Sequence, residues 1–124
     1  MTTKISAITI GEYLDYITVL WFDRGRARPP ENGIDYLPLV EIMRQHAVLN
    51  GELDYLKLAF EHLLSNPAID CTQFDGGNYP FSDAEIRAII TLAYRTIWQT
   101  TVLPPQRPDV EIVGEYVEEW RRSA

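Results

Sequence analysis

The chain has 124 residues, 46% of them hydrophobic and 23% charged, which suits one globular domain with its own core and excludes an intrinsically disordered chain. A formal net charge of −7 and a pI near 4.7 repel a phosphate backbone, so direct nucleic-acid binding is not expected. The lone cysteine rules out an intrachain disulfide and points to a reducing compartment, and no apolar run reaches the ~18 residues of a membrane span.

The opening residues, MTTKISAITIGEY, contain no apolar h-region and no small-residue cleavage site, so the expected location is cytoplasmic. A first helix is expected from Thr9, where Thr9 and Glu12 have capping-box spacing and Ile8 and Tyr13 form a staple. Tyr13, Leu14, Ile17, Leu20 and Trp21 share one face, while Val19 and Phe22 fall outside it. Those two either pack on a second side or belong to a patch for a partner. The loop DRGRARPPENG follows, and its Arg24, Arg26 and Arg28 are either solvated or able to hold a phosphate or a carboxylate.

Asp35 is the expected N-cap of the second helix, with Pro38 tolerated in the first turn. His46 projects from its apolar face, where a core histidine bonded to a carbonyl or hydroxyl is the ordinary reading. Asn50-Gly51 ends this helix, and the third begins almost at once. Leu53, Leu56, Phe60, Leu63 and Leu64 face inward there, with Tyr55, Leu58 and an exposed His62 opposite. Asn66-Pro67 stops it.

Residues 67–80, PAIDCTQFDGGNYP, show no period, and so long a connection is uncommon unless it is functional or mobile. Its aromatic and acidic residues make either a recognition surface or a loop pinned to the core. Cys71 has no ligand companion and reads as an inert thiol. The clearest helix then begins at Ser82, with Glu85 completing a capping box and Ile86, Ile89, Ile90, Ala93, Tyr94, Ile97 and Trp98 forming a broad apolar face. After the proline-rich TVLPPQRP, Asp109 is the expected cap of a last amphipathic helix. It would present Glu111, Glu115, Glu118 and Glu119 opposite Val110, Val113, Val117 and Trp120. The elements together predict an all-α fold. It is a compact single-domain bundle of about five helices, 9–24, 35–49, 52–65, 82–101 and 109–121, with one long irregular loop at 67–80.

Catalytic signatures are missing from this pattern. Two histidines and one cysteine cannot assemble a Cys/His zinc site, and Gly76-Gly77 lacks the lysine of a phosphate loop. Glu12 with Asp15 and Glu115 with Glu118 have the spacing of magnesium-binding carboxylate pairs, without a lysine or asparagine set for phosphate. No catalytic, cofactor or metal residue is therefore assigned, and an enzyme is not expected. Phe60-Glu61, Asn66-Pro67 and Tyr79-Pro80 resemble the small acidic helical immunity proteins that neutralise nuclease bacteriocins. The adjacent tyrosine pair with which those proteins bind is not reproduced, since Asn78 precedes Tyr79, and no site is carried across.

The function expected is protein–protein interaction by occlusion of a basic partner surface, of the inhibitor, immunity or anti-defence type that phages and mobile elements encode. The partner would be another protein, including one whose basic patch normally holds nucleic acid. Asp70, Asp75, Glu111, Glu115, Glu118 and Glu119 would steer it, with Phe74, Tyr79 and Phe22 as anchors. The alternative is an assembly or structural adaptor that oligomerises through the first helix, and the third reading is a metal-dependent phosphohydrolase.

Overall fold

A computed structural model of the chain describes residues 3–23, 28–77, 79–100, 102 and 109–117. Strand β1 (Thr3–Ser6) runs directly into α1 (Ala7–Thr18). Ser6 is the N-cap, its Oγ accepting from the Thr9 amide at 3.1 Å. The helix thus begins before the expected Thr9, and Thr9 is the donor of the cap rather than the cap itself. Ser6 can take this role because it is still extended (φ −92°, ψ 122°) as the last residue of a paired strand. The expected 9–24 helix is also interrupted. Thr18 turns its hydroxyl back onto the Leu14 carbonyl (3.1 Å), and a four-residue α2 (Leu20–Asp23) follows the break at Val19.

Asn32, not Asp35, caps the next segment: its Oδ1 accepts from the Ile34 amide and starts a 3-10 turn, Gly33–Tyr36, in which Asp35 is exposed. Helix α3 (Leu37–Leu49) follows with proline in its first turn, and Gly51 makes the turn to α4 (Leu53–Ser65) at a left-handed φ of 66°. Tyr55 is 1% exposed rather than outward-facing, because its hydroxyl accepts from the Ser6 amide and ties α4 to the strand–helix junction. His62 is half-buried and bonded to Asn66 instead of solvated, and burial lowers its pKa. His46 is also half-buried; it stacks on Tyr16 at 4.5 Å rather than bonding a carbonyl.

Helix α5 (Asp83–Trp98) carries the expected capping box, with Ser82 Oγ accepting from Glu85 N–H and Glu85 Oε1 from Ser82 N–H. It ends at Gln99 in the left-handed region (φ 52°), short of the expected 101. Ile86, Ile90 and Ala93 are fully buried, and α5 packs on both α3 and α4, while α1 packs on α3. The core also takes Ile10, Leu14 and Ile17 from α1, and Leu56, Phe60 and Leu63 from α4. Arg87, one turn into α5, closes the end of α4. Its guanidinium donates to the carbonyls of Leu63 (2.6 Å), Asn66 (3.0 Å) and Ile69, while Nε meets Asp83 at 3.0 Å.

The all-α expectation fails at the far end of the chain. Residues 109–121 were expected as a helix, but β2 (Val110–Val113) pairs parallel to β1, setting Thr3 against Val110 and Ile5 against Ile112. VEIV is rich in β-branched residues and alternates a buried Val110 with an exposed Glu111, which fits a pleated strand once TKIS is alongside. The fold is therefore mostly helical with a short two-stranded parallel sheet. Residues 118–121 of the expected helix and all of the 101–108 linker except Val102 lie outside the described residues. Among the described residues no helix is long and apolar enough to cross a membrane.

Candidate functional site

The end of α1, the short α2 and the loop after the second 3-10 turn (Cys71–Phe74) enclose a groove of about 340 Å³. It is lined by Thr18, Val19, Phe22, Asp23, Gly76, Gly77 and Tyr79. Local chemistry builds it in steps. The break at Val19 swings α2 so that Trp21 goes into the core, its Nε1 donating to the Arg28 carbonyl at 2.7 Å, while Phe22 stays half-buried at the surface. Asp75 folds the facing loop: Oδ1 accepts from Gly77 N–H and Oδ2 from Phe81 N–H, each at 3.2 Å. That turn lays Tyr79 flat on Phe22 (centroids 5.2 Å, planes 14° apart), with Phe81 edge-on to both.

Close approach favours glycine at Gly76, while Gly77 has room for ordinary contact. A methyl group at Gly76 would stand 3.0 Å from Asp15 Oδ1, and one at Gly77 would stand 3.4 Å from Val19 Cγ2. Asp15 thus lies directly beneath the loop, and its buried Oδ1 has no hydrogen-bond partner among the described residues. Burial first, then the charges of Asp75 and Glu12, raise its pKa above the ordinary aspartate value. Exposed Asp23 completes the acidic margin, and among the described residues no cation lines the groove.

Of the residues expected to meet a partner, the structure brings together Phe22, Asp75 and Tyr79. Phe74 is 2% exposed and belongs to the core, which removes it as an anchor. Asp70 is exposed but engaged in capping the 3-10 turn, accepting from Thr72 N–H (3.0 Å) and Thr72 Oγ1 (2.6 Å). Glu111 is exposed on β2 and Glu115 is exposed just beyond it, so neither lies on a helical acidic stripe. The sheet adjoins the start of α1 and the groove its end, a separation of about 18 Å along a helix of 12 residues. Glu118 and Glu119 lie outside the described residues, as do Arg24 and Arg26.

Asp15 and Asp23 were not assigned to this surface from the sequence, because nothing local says which side of α1 the distant loop will cover. A second unassigned carboxylate, Glu52, is 5% exposed and accepts from Tyr13 Oη at 3.0 Å, while Asn50 Nδ2 donates to the same hydroxyl at 3.2 Å. This network holds α1 to the start of α4. Cys71 is completely buried, and burial pushes its thiol up to about 11, in keeping with an unreactive side chain. Among the described residues no three His, Cys, Asp or Glu side chains converge as metal ligands would. No protein-family model, curated protein or solved structure matches the chain.

Proposed function

We propose that the groove receives a basic segment of another protein and that the chain works by covering it, as an inhibitor, immunity or anti-defence factor does. One observation carries the reading: a stacked aromatic pair, Phe22 and Tyr79, stands beside Asp15, Asp23 and Asp75 with no cation among the described lining residues. Aromatic faces and carboxylates both attract guanidinium and ammonium groups, and the flat Tyr79–Phe22 surface gives apolar contact to the stem behind the charge. The acidic chain as a whole, at −7, would speed the encounter with a basic surface.

The test is affinity capture from the native cells with wild-type chain and with Asp23→Lys/Tyr79→Ala immobilised in parallel. Tyr79→Ala removes a half-buried ring packed on Phe22 and Phe81 and should lower the unfolding midpoint, so capture is run at a temperature well below the midpoint of both proteins. Wild type should retain a basic protein that the variant loses. Equal retention by both would refute the reading.

The second reading, an assembly adaptor, is favoured by a different observation. Val48 and Leu49, at the end of α3, are 51% and 81% exposed, an adjacent apolar pair. Sedimentation separates the two: a defined oligomer abolished by Leu49→Asp supports the adaptor, and a monomer supports occlusion.

A further inference from the structure

A second pocket, of about 200 Å³, opens between the 3-10 turn Gly33–Tyr36 and α5. Pro30, Phe81, Ile89 and Leu92 give it apolar walls, and its two side-chain polar groups are those of Tyr36 and Glu85. Tyr36 is only 5% exposed, with its ring edge-on to Trp21 at 5.3 Å, yet its hydroxyl makes no hydrogen bond with any described residue. The hydroxyl belongs to the pocket lining, where it can accept from a donor that enters. Glu85 is exposed at the rim of the pocket; its Oε1 accepts from the Ser82 amide at 3.0 Å, and Oε2 makes no further hydrogen bond among the described residues. Burial and the nearby charge of Glu85 push the Tyr36 hydroxyl up to about 12, so it stays neutral at pH 7.

We propose that this pocket binds a small aralkyl amine, its ring against Phe81, Ile89 and Leu92 and its ammonium donating to Glu85 Oε2 and the Tyr36 hydroxyl. The size fits: a cavity of ~150 Å³ holds a benzene ring, and about 200 Å³ admits the ring with a two-carbon tail. The sign of charge also fits, because the pocket offers a carboxylate and a hydroxyl oxygen and, among the described residues, no lining cation. An anionic ligand of the same shape would meet Glu85 as a like charge.

The full-length chain, labelled with nitrogen-15, is titrated with 2-phenylethylamine and separately with 3-phenylpropionate. The amine should shift the amides of Ile89 and Leu92 and bind at least about tenfold more tightly than the acid, a difference of ~1.4 kcal/mol. Glu85→Gln is the informative variant, because glutamine preserves the capping box. It should weaken amine binding about tenfold and abolish the preference over the acid, as expected for loss of a charge-assisted bond. Tyr36→Phe keeps the contact with Trp21 and should weaken the amine about threefold, one neutral hydrogen bond. Equal binding of amine and acid to wild type, an unchanged preference in Glu85→Gln, or no shift at millimolar amine would overturn the proposal. Should either variant unfold, the amine-to-acid ratio in wild type decides alone.

Discussion

Replacing Arg87 by methionine isolates the closure of α4 by α5. The side chain is 18% exposed and donates to three main-chain carbonyls beyond and at the end of α4, besides pairing with Asp83. Methionine keeps the apolar stem and removes every one of those bonds. Each carbonyl loses about 1 kcal/mol net where water reaches it and more where it does not, and the half-exposed ion pair with Asp83 adds only about 0.5 kcal/mol. The expected loss is therefore about 2–4 kcal/mol, a large share of a typical ~5–15 kcal/mol total. At about 4 °C per kcal/mol for a chain of this size, the melting temperature should fall by roughly 8–16 °C. Arg87→Lys should recover less than half, since one ammonium cannot span carbonyls that the guanidinium reaches through separate nitrogens. Urea and thermal unfolding followed by circular dichroism measure both variants. A methionine variant within about 0.5 kcal/mol of wild type, or full recovery by lysine, would refute the clamp.

Three other substitutions test the strained and unsatisfied positions. Asp15 has a raised pKa when folded, so its ionised form is less favourable there than in the unfolded chain. That penalty is fully present above the folded pKa and vanishes as pH falls below the unfolded value of about 3.9. Asp15→Asn should consequently raise the urea midpoint at pH 7 and lose its advantage below about pH 4; no gain at pH 7 would mean that the carboxylate has a compensating contact. Gln99→Gly should stabilise the protein by about 0.5–1 kcal/mol and Gly51→Ala should destabilise it by about 1 kcal/mol. The reason is shared: both positions hold left-handed backbone, at φ 52° and 66°. Denaturant melts showing the same sign for both would contradict it.

Where a signal was local, it could be read from the chain. Ser82 and Glu85 announce the cap of α5, and the 3.6-residue period that follows names its buried face correctly through Tyr94. Asn50-Gly51 likewise marks a turn that needs a positive φ. The strand at Val110 was hidden because Val110 and Val113 satisfy helical spacing as well as VEIV satisfies alternation. The deciding partner, Thr3–Ser6, lies at the opposite end of the chain. Ser6 was missed as a cap for a related reason: its extended backbone depends on that same remote pairing.

The groove was half legible. Phe22, Asp75 and Tyr79 stood out as aromatic and acidic residues without a core assignment, and they do meet. Phe74 carried the same signal from the same loop and went inward, since composition alone cannot say which of two nearby aromatics pins a loop. Gly76-Gly77 carries no local sign of what it covers, whereas the close approach of Gly76 to Asp15 is a tertiary feature. Glu85 is explained locally by its cap, and nothing in the neighbouring sequence marks Tyr36 as a wall of the same pocket.

The central claim, that an acidic aromatic groove captures a basic protein segment, is tested most directly by the association rate of the captured partner as a function of salt. Stopped-flow fluorescence should give a rate that falls steeply between about 10 and 150 mM salt, the range over which the screening length shrinks from ~30 to ~8 Å. Asp23→Lys should slow association at the low-salt end, and Tyr79→Ala should mainly speed dissociation. A rate indifferent to salt, together with wild-type kinetics in both variants, would contradict the account.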